Sequence, residues 1–383
     1  MDFTLSKEQE MARTLFRDMA ENEIKPLAAD IDEQERFPKE ALELFKKYKM
    51  MGIPYPKEYG GAGCDTLTYE MALEEICKVC AATGTMLSAH ISLGTWPIVK
   101  FGTEDQKKKY LPKLCTGEYL GAFALTEPGA GTDASGQQTK AVLDGDHYVL
   151  NGSKIFITNA GYADVYVVFA MTDKSKGNHG ISAFIVESKF PGFSVGKKEK
   201  KMGIHGSATC ELIFENCIVP KENLLGQEGK GFGIAMATLD NGRIGIAAQA
   251  VGLAEGALDE TIKYVNERKQ FGRPLAKFQN TQFQIADMVT KTKAAQLMLY
   301  RAALAEETKG AKNKRYSEEA AMAKLFCAST AMDVTTRCLQ LFGGYGYTRE
   351  YPIERMMRDA KITEIYEGTS EVQRMVISKY AMG

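Results

Sequence analysis

The chain has 383 residues, of which 44% are hydrophobic and 25% are charged, and its formal net charge at pH 7 is −1. This length predicts two or three domains, and this composition is typical of an ordinary globular protein without the basic field that nucleic-acid binding requires. The N-terminus has no signal-peptide pattern and no apolar run is long enough to cross a bilayer, so we expect a cytoplasmic protein, or a mature form without its targeting segment.

The first predicted domain, residues 1–117, has helical periodicity. Ser6 and Gln9 have the spacing of a capping box, which predicts that a helix begins there. After a loop rich in proline and glycine, helical patterns resume over residues 68–101 and again over 104–114.

The eight cysteines are scattered through the chain, and we expect reduced thiols. The one C-x-x-C pair, Cys77 and Cys80, lies inside a helical pattern, and no second pair is present to complete a zinc site. This favours buried helix cysteines over a redox or zinc role. The four histidines show no metal or triad spacing. We therefore expect no metal site.

The second predicted domain, residues 118–228, is rich in glycine and β-branched residues. Residues 163–169 and 181–186 have the composition of strands. Asp144-Gly145, Asn151-Gly152 and Pro191-Gly192 are predicted turns. Short strands at this spacing favour an antiparallel β-barrel or sandwich over βαβ units.

The third predicted domain, residues 229–383, contains three long helical patterns, at 244–266, 281–308 and 317–342. Helices of this length favour an antiparallel bundle. The predicted fold is therefore multidomain α+β, with an N-terminal α-helical domain, a middle β-barrel or sandwich domain and a C-terminal four-helix bundle.

Three glycine-rich segments are candidates for ligand contact. Residues 125–133 expose backbone N–H groups and hydroxyls that suit a polar ring edge or a phosphate, although a plain tight turn fits the spacing equally well. Residues 340–347 place three glycines after a helix, which fits either a bulky group near the backbone or a loose turn. Residues 229–233 lack the spacing and the βαβ context of a dinucleotide site, so a flexible entry into the bundle is favoured.

Together these segments resemble the acyl-CoA dehydrogenase family, most closely its short-chain, butyryl-CoA type. The resemblance covers nearly the whole chain, and several long motifs occur in the family's order. The motifs that carry it are 125–133, 155–159, 268–274, 340–347, 358–361 and 365–371.

The resemblance implies FAD as cofactor and a homotetramer built as a dimer of dimers. Arg268, Gln279 and the segment 340–344 match residues that reach FAD bound to a neighbouring subunit, where the fork of an arginine pairs with pyrophosphate oxygens. The positions that match the family's FAD contacts are Phe123, Leu125, Thr126, Gly131, Thr132, Phe156, Ile157, Thr158, Arg268, Phe271, Gln279, Gln340, Leu341, Phe342, Gly343, Gly344, Thr369 and Glu371.

The resemblance also implies that Glu367 is the catalytic base. On its own, the sequence from Glu367 to Ser370 predicts only a helix break followed by an N-cap. In the family, this glutamate removes the α-proton of an acyl thioester and the β-hydrogen leaves as hydride to the flavin. The backbone N–H of Glu367 and a ribityl hydroxyl of FAD then stabilise the carbonyl oxygen. A dry site that raises the pKa of Glu367 would suit this role.

Residues 239–243 indicate the substrate type. Isovaleryl and long-chain relatives carry the base here in a Leu-Asp-x-Glu-Arg pattern, whereas this chain has Gly242. Asp240, Arg243, Thr132 and Gly368 match substrate contacts. At the position of the arginine of the glutaryl type our alignment places Thr83, which argues against a dicarboxylate substrate.

The resemblance therefore implies dehydrogenation of straight short-chain acyl-CoA, with an electron-transferring flavoprotein as partner. The reverse direction stays open, as an enoyl-CoA reductase acting on acryloyl- or aryl-acryloyl-CoA in an electron-bifurcating complex. An oxidase on the same fold would instead produce peroxide. A non-enzymatic scaffold is disfavoured, because the base is present and no domain is basic.

Overall fold

The structure, a computed structural model, describes residues 4–308 and 316–383. Its N-terminal part is helical, as predicted. The first helix begins at the capping box, where Gln9 N–H donates to Ser6 Oγ and Ser6 N–H donates to Gln9 Oε1. The α-helices of this part are α1 (Lys7–Met19), α2 (Ala28–Glu33), α3 (Lys39–Lys47), α4 (Thr66–Cys77), α5 (Ala81–Ser88), α6 (Trp96–Phe101) and α7 (Glu104–Thr116).

Cys77 and Cys80 flank the break between α4 and α5, and both are buried free thiols. Burial raises the pKa of each thiol above its usual value, which disfavours the reactive thiolate. The interpretation of the pair as buried cysteines is confirmed. The two do not share one continuous helix, however, because α4 ends at Cys77 and α5 begins just after Cys80. The helical segment Ala89–Thr95 joins α5 to α6.

The middle part is one eight-stranded sheet, with strands in the order β6-β7-β3-β2-β4-β5-β8 and β1 beside β4. Most neighbouring strands are antiparallel, but β1 and β2 each pair with β4 in parallel. A loop and the β2–β3 hairpin intervene before β4 returns beside β1. The antiparallel expectation therefore holds for most of the sheet only. The strands are β1 (Gly121–Ala124), β2 (Lys140–Asp144), β3 (His147–Thr158), β4 (Val165–Met171), β5 (Ile181–Glu187), β6 (Phe193–Lys198), β7 (Thr209–Pro220) and β8 (Leu224–Leu225).

The predicted turn at Asn151-Gly152 is wrong, because both residues lie inside β3. Gly152 has φ 144°, and a Cβ there would be 2.6 Å from Thr139 Oγ1. The register of β3 against β7 also shifts between Leu150 and Gly152. This glycine therefore serves a bulge and a close approach within the sheet. Turns do occur at Gly145 and Gly192, which have φ 62° and 83°.

The C-terminal part is helical. Its longest helix begins at Gly231, earlier than the predicted residue 244, because tertiary packing overrides the poor helix propensity of the glycines in this stretch. The elements are α8 (Gly231–Glu267), β9 (Lys269–Gln270), β10 (Arg273–Pro274), α9 (Gln279–Glu307), α10 (Tyr316–Phe342), α11 (Ile353–Thr363) and α12 (Ser370–Met382).

Two apolar cores hold these parts together. Val165, Val167 and Phe169 of β4 belong to a large core shared with the helices, while the alternate residues Tyr166 and Val168 belong to a second core on the other face of the sheet. Both faces of β4 are covered, which explains its continuous apolar sequence. In the described part of the chain, no helix combines the length and the apolar character needed to cross a membrane.

Candidate active site

The Glu367 turn joins α11 to α12 in an unusual backbone conformation. Glu367 has φ 53° and Gly368 has φ 95°, so two consecutive residues are left-handed. The conformation is held from outside: Lys324 Nζ donates to Gly368 O at 2.8 Å, and Gln373 Nε2 donates to Gly368 O at 2.8 Å and to Glu367 O at 3.3 Å. A non-glycine residue in this region is strained, and such strain is concentrated at functional sites.

The carboxylate of Glu367 lies over Gly242 of α8. A Cβ built on Gly242 would be 2.1 Å from Glu367 Oε2 and 2.8 Å from Leu93 Cδ2. Any side chain at position 242 would therefore displace the carboxylate. The position that carries the base in the isovaleryl and long-chain types is thus the one that makes room for Glu367.

The electrostatic environment of Glu367 suits a base. Its Oε2 atom is shielded from solvent and has no hydrogen-bond partner among the described residues. Burial raises the pKa of Glu367 to about 7, and the charges of Lys324 and Arg243 oppose that rise. The Lys324 ammonium is itself buried, and burial lowers its pKa to about 8. A carboxylate with a pKa near neutral pH and a free oxygen can accept a proton efficiently.

Three of the four predicted substrate residues lie near Glu367. Arg243 is buried on α8, and its Nη1 donates to Asp240 Oδ1 at 2.6 Å. Gly368 is adjacent, since a Cβ there would be 3.6 Å from Arg243 Nη2. Arg243 Nε has no partner among the described residues, which leaves one donor free for a ligand. The fourth, Thr132, is exposed in the loop after β1, and no described contact joins it to Glu367.

The predicted flavin loop, residues 125–133, is fixed by a buried ion pair. Lys154 of β3 is fully buried, and its Nζ donates to Glu127 Oε1 at 2.7 Å and to Leu125 O at 3.0 Å. Glu127 also accepts from Thr139 N at 3.0 Å. In addition, Ile155 N donates to Thr126 O at 2.9 Å, which joins the loop to the 155–159 motif.

The surface beside this loop fits a flat polar ring. Phe156 is 58% exposed, although it is aromatic, and has φ 58° at a bulge in β3. Gly129 and Gly131 face open space, since a Cβ on either would meet nothing within 4 Å. An exposed aromatic ring beside an open, glycine-lined loop offers a stacking face and free backbone donors to a ligand.

The same surface reaches the Glu367 turn through the segment Ala89–Thr95. The side chain of Leu93 lies beside Gly242, at the point where a Cβ on that glycine would also meet the Glu367 carboxylate. The backbone of Gly94 packs against Gly121 at the start of β1. The strand that leads into the loop therefore begins against the same segment whose Leu93 side chain lies beside Gly242.

A second group of predicted FAD residues lies on the surface, away from Glu367. Phe271, which is 92% exposed, stands in the turn between β9 and β10, and the guanidinium of Arg268 lies 5.3 Å from the ring centre of Tyr345. The structure thus brings the Arg268 turn to the glycine-rich segment after α10. The exposed members of this group are Arg268, Phe271, Gln279, Gln340, Gly343 and Gly344.

The remaining predicted FAD residues are partly or fully buried, apart from Glu371. The ring of Phe342 stacks on that of Tyr264 with 4.1 Å between ring centres, and the ring centres of Phe123 and Phe169 are 5.0 Å apart. Ile157 points into the core of the sheet. Thr369 caps α12 by accepting from Val372 N at 3.4 Å. Leu125 is buried, Thr126, Thr158 and Leu341 are half-buried, and Glu371 is exposed.

Sequence reasoning missed the residues that hold this site in place. Lys324 and Gln373 fix the Glu367 turn, and Lys154 with Glu127 fixes the flavin loop. The one available signal was Lys324, a single lysine in an apolar stretch of the sequence. Lysine is rarely buried without a partner, so a lysine in such a stretch suggests a paired, buried ammonium.

Comparison with known proteins identifies the family. The model of the acyl-CoA dehydrogenase N-terminal domain matches residues 6–118, that of the middle domain matches 122–217, and that of the C-terminal domain matches 229–382. The short-chain specific acyl-CoA dehydrogenase of Clostridium acetobutylicum is 61% identical, over 99% of this chain and 99% of that protein. The acryloyl-CoA reductase (NADH) of Anaerotignum propionicum is 52% identical, over 100% of this chain and 96% of that protein.

Solved structures agree with this assignment. Butyryl-CoA dehydrogenase from Megasphaera elsdenii superposes with a TM-score of 0.97 at 51% identity, over 100% of both chains. A chain of the structure described as "Electron transferring flavoprotein of Acidaminococcus fermentans: Towards a mechanism of flavin-based electron bifurcation" superposes with a TM-score of 0.97 at 56% identity, over 100% of both chains. An acyl-CoA dehydrogenase from Bacillus anthracis, complexed with FAD, superposes with a TM-score of 0.91 at 38% identity, over 99% of this chain and 67% of that chain. The chain therefore belongs to the acyl-CoA dehydrogenase family.

Proposed function

We propose that this protein catalyses the FAD-dependent α,β-dehydrogenation of short-chain acyl-CoA to trans-2-enoyl-CoA, with Glu367 as the base. One observation carries the residue assignment. Glu367 presents a shielded carboxylate oxygen without a partner among the described residues, on a left-handed turn that Lys324 and Gln373 hold rigid. An oriented carboxylate at the edge of a flavin-compatible surface fits proton abstraction better than a structural role.

FAD fits the residues present. The open loop at Gly129 and Gly131 and the exposed ring of Phe156 would hold the isoalloxazine, together with Thr126 and Thr158. FAD, when bound, supplies the acceptor for the β-hydrogen as hydride. The surface group around Arg268 would serve FAD of a neighbouring subunit, and for that reason we propose a homotetramer arranged as a dimer of dimers.

The chain's own groups account for the proton step. The α-proton of a thioester is weakly acidic, so the base must be close to its target and the developing charge on the carbonyl oxygen must be stabilised. Glu367 Oε2 would accept the α-proton, and the Glu367 N–H would donate to the carbonyl oxygen. Burial raises the pKa of Glu367 to about 7, which makes the carboxylate a stronger base than an exposed glutamate. Arg243 and Asp240, joined at 2.6 Å, would position the thioester.

The proposed partner and the second candidate direction are both supported by relatives. We propose that an electron-transferring flavoprotein exchanges electrons with the flavin, as the Acidaminococcus comparison suggests. The reverse reaction, reduction of acryloyl- or aryl-acryloyl-CoA in an electron-bifurcating complex, is the second candidate. It is favoured by the 52% identity to the acryloyl-CoA reductase of Anaerotignum propionicum.

Three further properties belong to this proposal. We place the domain boundaries between residues 117 and 118 and between 228 and 229, close to the end of α7 at Thr116 and the start of α8 at Gly231. We also propose that the protein acts in the cytoplasm and in fatty acid metabolism.

The reaction is tested by anaerobic bleaching of the holoenzyme flavin with a series of thioesters. Butyryl-CoA should bleach the flavin faster than hexanoyl-, octanoyl- or aryl-propionyl-CoA, and reoxidation by electron-transferring flavoprotein should outpace reoxidation by oxygen. Abundant peroxide production would instead indicate an oxidase. Absence of bleaching by every thioester would contradict the proposed dehydrogenation.

A further inference from the structure

Four buried polar side chains near the Glu367 turn have polar atoms without a partner among the described residues. Glu70 of α4 has no exposed surface, and neither of its carboxylate oxygens has a hydrogen-bond partner among the described residues. The same holds for Tyr69 OH, Ser88 Oγ and Gln249 Nε2. Buried polar groups are paired in nearly all native structures, so a group of four such side chains requires an explanation.

The cluster follows a glycine-lined face of α8 that begins at the candidate base. Gly242 and Gly245 are three residues apart and therefore share one helix face. A Cβ on Gly242 would meet Glu367, whereas a Cβ on Gly245 would lie 2.8 Å from Ser88 Oγ and 3.7 Å from Tyr69 OH. The polar atoms of Ser88 and Tyr69 therefore pack against the same face of α8 as the Glu367 carboxylate.

Among the described residues, the charged groups that shift the pKa of Glu70 are both negative. Its pKa is raised well above the usual value by burial and by the negative charges of Glu306 and Glu367. Other buried carboxylates of α4 have cationic partners: Glu74 pairs with Arg13, and Glu75 with Arg13 and with Arg17. Within residues 4–308 and 316–383, no cation pairs with Glu70.

Stability does not account for this glutamate. Burying an ionisable group without a partner is unfavourable, and an apolar side chain would fill the same volume at lower cost. A ligand that supplies a positive charge and N–H donors would instead satisfy the carboxylate, with Tyr69 OH and Ser88 Oγ as further acceptors.

We propose that Glu70 determines acyl specificity, by binding a cationic, hydrogen-bond-donating group at the distal end of the acyl chain. The inference rests on the proposed dehydrogenation, because it places the acyl chain between Glu367 and Glu70. The relatives' names suggest a short apolar acyl chain. The inferred substrate differs in carrying an ammonium or a guanidinium at the distal end of that chain.

The test uses thioesters of equal chain length that differ in distal charge. Anaerobic flavin bleaching of the holoenzyme is measured with 6-aminohexanoyl-CoA, 4-guanidinobutanoyl-CoA and neutral heptanoyl-CoA, and butyryl-CoA serves as the reference. The wild type should prefer at least one cationic thioester over heptanoyl-CoA by about tenfold or more in kcat/KM, since a site built to pair a polar group discriminates strongly. Glu70→Gln should abolish this preference, and Glu70→Leu should reverse it.

Two further measurements separate the possible outcomes. Glu43→Gln, which removes an equivalent charge from an exposed side chain of α3, should keep the wild-type preference. The melting temperature of Glu70→Leu should equal or exceed that of the wild type, because an unpaired buried carboxyl is removed. A preference of the wild type for heptanoyl-CoA that Glu70→Gln leaves unchanged, or a marked drop in the melting temperature of Glu70→Leu, would overturn the inference alone. Failure of every thioester, including butyryl-CoA, would overturn the proposed function and the inference with it.

Discussion

The Glu367 carboxylate occupies the space that a side chain at Gly242 would fill, since a Cβ at 242 would be 2.1 Å from Glu367 Oε2. One residue on α8 and one on the turn before α12 thus compete for a single volume. The two base positions that the family resemblance implies are therefore alternatives for steric reasons, and the proposed base at 367 requires glycine at 242.

The first prediction concerns this contact. Gly242→Ala should lower the rate of flavin bleaching by about 100-fold, because the added methyl group displaces the carboxylate and small misplacements of a reacting group have effects of this size. Gly233→Ala is the matched control on the same helix, where a Cβ meets nothing within 4 Å. Bleaching by Gly242→Ala at the wild-type rate would refute the competition between the two residues.

The second prediction concerns pH. The base must be deprotonated, so the bleaching rate should rise with pH through the Glu367 pKa of about 7 and level off above it. The charge of Lys324 lowers this pKa, and removing it in Lys324→Met should move the rising limb to higher pH. Lys291→Met, which removes a half-buried lysine paired with Asp333 at 3.0 Å, is the control. An unchanged profile in Lys324→Met would exclude Lys324 from tuning the base.

The third prediction concerns the flavin loop. Lys154→Met leaves Glu127 buried without its cation, and breaking a buried pair in this way costs about 3–5 kcal/mol. We expect a lower melting temperature and faster loss of flavin, measured by the rise of flavin fluorescence on dilution. Lys140→Met changes an exposed lysine on the neighbouring strand and should behave as the wild type. Tight FAD binding in Lys154→Met would show that the loop does not depend on this pair.

The fourth prediction concerns the surface group. Phe271 is 92% exposed, so Phe271→Ser should leave the folding of a single subunit intact. If this turn meets a neighbouring subunit, the variant should dissociate at protein concentrations where the wild type stays assembled and should retain less FAD. Sedimentation velocity at several concentrations measures the first effect, and the ratio of flavin to protein absorbance measures the second. Wild-type values for both would place Phe271 outside the subunit interface.

The sequence predicts the architecture well where a helical stretch is long and uninterrupted. The patterns at 281–308 and 317–342 became α9 and α10 almost unchanged, because long stretches without glycine or proline leave few alternatives to a helix. The prediction of a turn at Asn151-Gly152 failed, because the same dipeptide occurs in hairpin turns and, here, in a strand where the glycine allows close approach to Thr139. Local sequence does not distinguish these two uses.

The candidate site was predictable only as motifs. Glu367 came from the family resemblance, since its own sequence reads as a helix break. Lys324, Gln373 and Glu70 were not found, because each acts through contacts between segments far apart in the chain: Lys324 reaches Gly368 from α10. Contacts of this kind have no periodic pattern in one sequence.

The most direct test of Glu367 as the base is the single-turnover bleaching of the flavin by butyryl-CoA without oxygen, in the wild type and in Glu367→Gln. The account predicts that Glu367→Gln retains FAD and shifts the flavin spectrum on binding butyryl-CoA, yet bleaches at least about 1,000-fold more slowly, as expected when a general base is removed. Bleaching of Glu367→Gln at a rate near that of the wild type would contradict the assignment of the base.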